Sequence, residues 1–258
     1  MSWDPSQYLK FSGHRLRPAV DLLARIAAES PRLVCDLGCG AGNVTRLLRG
    51  RWPNARIVGI DNSSEMLARA AAEAPDVDWV NADLAGWRPD APPDVIFSNA
   101  ALHWLDRHRP LFAALFAALA PGGTLAVQMP RNHSQPSHRE MVDCARSGPW
   151  RDVLEPLLRE EPVLRSGAYW DILAQAGAAP EAIDIWETDY LHALSGKDAV
   201  LEWVKGTALR PLLDALQEPW RSQFFDDYRR RVAAAYPQGP DGITLFPFRR
   251  LFIVARRA

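Results

Sequence analysis

Lysine is nearly missing from this chain. Of the 30 basic side chains among 258 residues only Lys10, Lys197 and Lys205 are lysine, and the other 27 are arginine. Base composition of the coding DNA accounts for most of such a skew. The rest is chemical, because a guanidinium fork matches a carboxylate or phosphate bidentately and an ammonium does not. Net charge is missing too: 31 acidic residues leave a formal −1, so no global field draws in nucleic acid or a membrane surface. Cysteine is scarce and odd in number. Cys35, Cys39 and Cys144 contain no Cys-x-x-Cys pair, which indicates neither a disulfide framework nor a metal site and predicts reduced thiols. Long apolar runs are also lacking. The longest, Leu111 to Ala120, falls well short of the roughly 20 residues that span a bilayer. Met1 to Lys10 is polar and acidic, unlike a secretory leader. A soluble cytoplasmic protein is expected, monomeric or weakly dimeric, with no nucleic-acid or membrane partner.

What is present is apolar material in a regular order. Hydrophobic residues make up 48% of the chain, enough for a packed core, and the length suits one large domain or a domain with a cap. Arg15 to Ala28 carries Leu16, Val20, Leu23 and Ala27 at helical spacing before Pro31, which predicts a helix. Leu33 to Leu37 then reads as a strand, Gly38 to Asn43 as a glycine loop, and Val44 to Arg51 as a helix. The alternation continues with strands at 55–61, 77–81, 93–99 and 123–129 and helices at 64–73 and 108–118. Strands alternating with helices imply right-handed crossovers and a doubly wound parallel sheet in an α/β fold. After Pro130 the spacing is helical and broken by proline over 140–158 and 197–236, which predicts a helical cap. The runs 182–192 and 251–257 read as the last two of seven strands. The expected division is a helical segment over 1–30, a ligand-binding core over 31–135, and cap insertions with the last two strands over 136–258.

The glycine loop carries the first chemistry. Gly38, Gly40 and Gly42 lie between strand and helix, where absent side chains let backbone approach a ligand and the helix start offers free amide donors. The spacing Gly-x-Gly-x-Gly differs from the dinucleotide pattern, since position 43 is Asn. Asp61 ends the second strand, placed to accept both hydroxyls of a ribose. Asp83 follows the third strand, where a carboxylate can accept from an adenine amino group. Together with Asp36, three acids at three strand ends point to a nucleoside-like ligand.

The run Asp36-Leu37-Gly38-Cys39-Gly40-Ala41-Gly42-Asn43 resembles the signature of class I S-adenosylmethionine-dependent methyltransferases. Further blocks, Trp3 to Tyr8, Arg15 to Ala19, Ser98 to Leu105, Val127 to Pro130, Gly206 to Pro211 and Arg250 to Arg257, are similar to those of the trans-aconitate 2-methyltransferases within that class. The resemblance spans nearly the whole chain and implies a Rossmann-like methyltransferase sheet with a helical cap. It implies that Asp36, Gly38, Cys39 and Gly40 hold the methionine part of S-adenosylmethionine. Asp61 and Asn62 would take the ribose, Met66 the adenine face, and Ala82, Asp83 and Leu84 the adenine edge. Asn99 and Ala100 would line the sulfonium side. His103, where related enzymes can carry Gln, and the doubled Arg249-Arg250 depart from the pattern.

The implied reaction esterifies a carboxylate of trans-aconitate to its monomethyl ester, leaving S-adenosylhomocysteine. A carboxylic acid with a pKa near ~4 is ionised at neutral pH, so the nucleophile needs no general base and none is expected. Arginines should anchor the tricarboxylate, and Arg17, Arg131, Arg210 and Arg250 sit at element boundaries that can face a cleft. Tyr8, His103 and Trp104 are wall candidates, the last two also for positioning. Two other readings stay open: methylation of another small acid or a hydroxylated aromatic, with His103 as base, and a non-catalytic S-adenosylmethionine-binding sensor.

Overall fold

A computed structural model of the protein describes residues 12–159 and 161–258. Tyr8 lies outside them. The chain divides into two compact units.

The sheet unit comprises Gly13–Pro130, Pro162–Thr188 and Arg250–Ala258. Its elements are α1 (Ser12–Leu23), β1 (Leu33–Leu37), α2 (Asn43–Arg51), β2 (Arg56–Asp61), α3 (Ser64–Glu73), β3 (Asp78–Asn81), β4 (Val95–Asn99), α4 (His108–Ala117) and β5 (Thr124–Pro130). After the other unit's first segment come α7 (Ser166–Gln175), β6 (Ile183–Ser195) and β7 (Ile243–Arg256). The strands form one seven-stranded sheet in the order β3-β2-β1-β4-β5-β7-β6. Neighbours among β1 to β5 run parallel, and β7 runs antiparallel to β5. The first crossover returns β2 beside β1 and a later one places β4 on the other side, so the carboxyl ends of β1 and β4 flank the switch in winding where ligands gather in open sheets.

One sheet face carries Cys35, Leu37, Val58, Ile60, Ile96, Leu125, Val127, Leu251 and Ile253, packed with Leu111, Phe112, Leu115 and Phe116 of α4 and with Tyr169, Ile172 and Leu173 of α7. A fully buried Leu, Ile or Phe contributes about 1.5–3 kcal/mol relative to exposure. The helix α7 is absent from the sequence expectations, although Ala168, Tyr169, Ile172 and Leu173 make one buried face. Its ten residues include Gly167 and end two residues before Gly177, and so short a glycine-containing stretch gives a weak periodic signal.

The second unit contains the described residues of Arg131–Glu161 and Asp189–Arg249. It holds α5 (Pro136–Ser147), α6 (Arg151–Leu154), α8 (Ala199–Lys205), α9 (Arg210–Ala215) and α10 (Trp220–Ala235). Met141, Cys144, Trp150, Leu201, Trp203, Phe224, Tyr228, Phe246 and Phe248 belong to its own core. The boundary between units falls within the long strands β6 and β7. The last strand begins eight residues before the predicted Leu251, because Pro247 interrupts a run that continues extended on both sides. Cys35, Cys39 and Cys144 are buried and free, and among the described residues no helix is long and apolar enough to cross a membrane.

Candidate active site

Side chains alternate across a strand, so parity of register sorts the site residues. Asp36 pairs with Gly59 on one side and Phe97 on the other; Asp61 and Asn99 lie two residues beyond these partners, and Asn99 pairs with Gln128. Asp36, Asp61, Asn99 and Gln128 therefore share the face opposite the α4–α7 core. Arg250 pairs with Pro130, two residues beyond Gln128, and joins the same face.

Each member is held by identifiable contacts. Asp36 is fully buried and accepts a hydrogen bond from Thr45 Oγ1 on α2 at 2.6 Å. Burial pushes its carboxyl up to about 7, helped by the charge of Asp61 and opposed by the Thr45 bond. Asp61 Oδ2 accepts from Gly40 N–H and its Oδ1 from Ser63 N–H, both at 2.9 Å, which ties the glycine loop to the end of β2. Ser63 then caps α3 by accepting from Met66 N–H. Met66 is buried and Asn62 exposed. Ala82 N–H donates to the Asp61 carbonyl at 3.1 Å, and Asp83 closes its own turn by accepting from Ala85 N–H at 3.0 Å.

The loop glycines are required for different reasons. Gly38 has φ +74°, and a Cβ there would lie 2.1 Å from Ala101 Cβ, with Leu84 Cδ1 next nearest among side chains. Gly40 has φ +55°, and a Cβ there would meet no atom within 4 Å. Open space beside a glycine at a helix entrance is what a ligand approaching the backbone needs. Cys39 between them is buried, and burial pushes its thiol well above the ordinary range.

At the end of β4, Asn99 Oδ1 is buried without a hydrogen-bond partner among the described residues. Ala100 follows with φ +54°, its N–H donating to the Gln128 carbonyl at 2.9 Å. A left-handed non-glycine residue is a strained conformation that concentrates at functional sites. His103 and Trp104 sit on the 3₁₀ turn Leu102–Trp104, rings 4.8 Å apart, with Trp104 exposed. That turn is pinned by His108, whose Nε2 lies 3.0 Å from the Leu102 carbonyl and whose Nδ1 lies 2.5 Å from Tyr169 OH. A carbonyl only accepts, so His108 donates from Nε2 and its Nδ1 accepts the tyrosine proton. This buried pair was not anticipated from the sequence.

The four arginine candidates fall in different settings. Arg250 is 4% exposed and donates from Nη1 to Gln128 Oε1 at 3.3 Å. Its neighbour Arg249 points to the other face and forks onto Asp189, both contacts 2.8 Å. Arg17 lies on α1 with its side chain 73% exposed, 3.9 Å from Asp21. Arg131 and Arg210 belong to the second unit. There Arg131 N–H donates to the Arg249 carbonyl, and Arg210 at the start of α9 lies 3.5 Å from Asp214.

Comparison with known proteins resolves the family. Residues 34–123 match the methyltransferase-domain model. The trans-aconitate 2-methyltransferase of Streptomyces coelicolor is 51% identical over 99% of this chain and 87% of its own. That of Acidovorax ebreus is 46% identical over 99% and 98%. The chain belongs to the trans-aconitate 2-methyltransferase family. Among solved structures the fold is shared with a Bacillus halodurans methyltransferase, at TM-score 0.60 and 14% identity, covering 93% of this chain and 99% of that one. It is shared too with Haemonchus contortus phosphoethanolamine N-methyltransferase 2, at TM-score 0.55 and 15% identity, covering 94% and 53%. For a family member the doubly wound, seven-stranded architecture is as expected.

Proposed function

We propose that the protein transfers a methyl group from S-adenosylmethionine to a carboxylate of trans-aconitate, forming the monomethyl ester and S-adenosylhomocysteine. The observation that carries this reading is the change of polarity along the carboxyl edge of the sheet. Asp61 and Asp36 on β2 and β1 are acceptors, Asn99 and Gln128 on β4 and β5 are neutral amides, and Arg250 on β7 is a buried cation. Such a row suits a cationic ligand at one end and an anionic one at the other.

The residues present fit the cofactor. The positive-φ glycines leave room beside Gly40, and the buried Asn99 Oδ1 awaits a donor. Asp61 would hold the ribose, Met66 and Leu84 the base, and Asp36 with the Gly38 to Gly40 backbone the methionine part. Asn99 and Ala100 would face the reacting end. When bound, S-adenosylmethionine supplies an electrophilic methyl carbon, which the acid's oxygen takes as the carbon–sulfur bond breaks and its electron pair stays on sulfur.

The chain's own task is alignment. The acid is already ionised, so no side chain needs to remove a proton. Holding nucleophile and methyl carbon in line can lower a barrier by up to about 7–11 kcal/mol in the best-oriented cases. Arg250 would hold a carboxylate that does not react, its planar fork setting the acid's orientation. Purified protein incubated with S-adenosylmethionine and a panel of acids, phenols and amines tests the reading. Ester from trans-aconitate is expected; its absence beside turnover of a phenol or amine would overturn the substrate, and cofactor binding with no turnover of any acceptor would overturn the activity.

A further inference from the structure

Gln128 is the one polar residue in the strand Thr124–Pro130 after its opening threonine. It is fully buried, and nothing in the apolar pattern of β5 calls for an amide there. Its Oε1 accepts from Arg250 Nη1. Arginine can only donate, so this contact fixes which way the amide is turned and leaves Nε2, with two donor hydrogens, facing away from the guanidinium. That Nε2 is buried with no hydrogen-bond partner among the described residues. Asn99 Oδ1, on the register partner of Gln128, is in the same condition.

A buried donor and a buried acceptor on adjacent paired residues could satisfy one another. Here they do not, although leaving each unmade costs about 1–3 kcal/mol. Both therefore serve a third party, and their signs say which. The Asn99 acceptor lies on the side of the acids. The Gln128 donor lies beside Arg250, where a guanidinium and an amide present N–H groups on one sheet face, a complement to the two oxygens of a carboxylate.

We infer that Gln128 is a substrate-binding residue that donates from Nε2 to one carboxylate of the acid held by Arg250, and that it sets the preference for the tricarboxylate. This rests on the proposed methyl transfer to trans-aconitate. The contact is made by the non-reacting end of the acid, so its loss weakens binding more than the chemical step. A hydrogen bond to a charged partner corresponds to roughly a 10- to 100-fold change.

The test compares wild type with Gln128→Leu, which keeps most of the volume and removes both donors. KM for trans-aconitate and inhibition constants for three dicarboxylates, cis-glutaconate, methylfumarate and itaconate, each lacking a different carboxylate, are measured alongside S-adenosylhomocysteine affinity. KM should rise roughly 10- to 100-fold, with kcat and S-adenosylhomocysteine affinity within about threefold of wild type. The dicarboxylate missing the bound group should inhibit the variant and wild type equally. A KM within threefold of wild type, an equal loss for all four acids, or a parallel loss of S-adenosylhomocysteine affinity would overturn the inference. If Gln128→Leu does not fold, Gln128→Glu keeps the shape and the Arg250 contact but offers no donor. It should raise KM more than 100-fold with S-adenosylhomocysteine binding intact, and a smaller rise would refute the assignment. Wild type that makes no ester from trans-aconitate overturns the functional reading and this inference with it, whereas active wild type with an unaffected variant overturns the inference alone.

Discussion

Gly38→Ala and Gly40→Ala should separate stability from cofactor binding within one loop. Both glycines have left-handed φ, +74° and +55°, so either alanine incurs a similar conformational cost of about 1–2 kcal/mol. The difference between the two variants therefore isolates what the new methyl group meets. At Gly38 it lies 2.1 Å from Ala101 Cβ, where two carbons need about 3.5–4.0 Å. Ala101 cannot simply retreat: Ala100 before it is held left-handed, with its N–H bonded to the Gln128 carbonyl. Overpacking of this kind costs about 1–3 kcal/mol. At about 2–4 °C per kcal/mol, Gly38→Ala should melt about 2–12 °C below Gly40→Ala. The Gly40 methyl group meets nothing in the protein and occupies the space assigned to ligand. Gly40→Ala should thus keep its Gly40 N–H bond to Asp61 and most of its stability, yet lose tenfold or more in S-adenosylmethionine affinity. Thermal unfolding without ligand, followed by calorimetric titration, reads both. Equal melting temperatures would refute the Ala101 contact, and undiminished affinity in Gly40→Ala would refute the placement of ligand against this loop.

Other consequences follow from single groups. Asp36 has a folded pKa raised to about 7, so its contribution to stability is present below the unfolded value near 3.8 and is lost as pH rises through 7. A bound cation favours the ionised form, so S-adenosylmethionine affinity should rise from pH 6 to a plateau above 7.5 in wild type and become flat in Asp36→Asn; calorimetry across that range would expose a pH-independent wild type, contrary to this account. Arg250→Lys keeps charge but loses the fork, and should raise KM for the acid about tenfold, with Arg250→Met about 100-fold or more, at unchanged S-adenosylhomocysteine affinity. Tyr169→Phe removes the proton that His108 Nδ1 accepts and should cost about 1–3 kcal/mol in denaturant unfolding; a neutral effect would mean the His108–Tyr169 contact is not formed in solution.

Much of the sheet unit was legible because parallel strands buried on both faces read as short apolar runs, and because the glycine loop announces itself between one of them and a helix. Leu33 to Leu37 coincides with β1 to the residue. Asp36 and Asp61 were legible as acids at strand ends. The carboxyl edge beyond them was legible only in part. Gln128 went unremarked because one amide inside Thr124–Pro130 leaves the run apolar, and its meaning appears only when register sets it beside Asn99 and Arg250. Strand parity separates Arg249 from Arg250, but only the structure shows that Asp189 occupies the former. Arg17 reads as a boundary residue in the sequence but lies inside α1, its side chain 73% exposed and one helical turn from Asp21. His108 and Tyr169 are 61 residues apart, and no local pattern predicts a hydrogen bond between them.

The order of polar groups along the edge also explains the two amides at its centre. Asp36 on β1 and Arg250 on β7 are three strand steps apart, at least about 14–15 Å across the sheet at 4.7–4.9 Å per step. That separation is far beyond the roughly 4 Å of a direct ion pair. A carboxylate at position 128, where Oε1 already accepts from Arg250, would place a negative charge against the guanidinium and weaken its attraction for an anionic ligand. Two neutral amides keep acid and guanidinium apart while each still offers a directed donor or acceptor. Under the proposed function the arginine-rich composition acquires a specific use: one buried guanidinium beside Gln128 would supply an anion site in a chain of net charge −1.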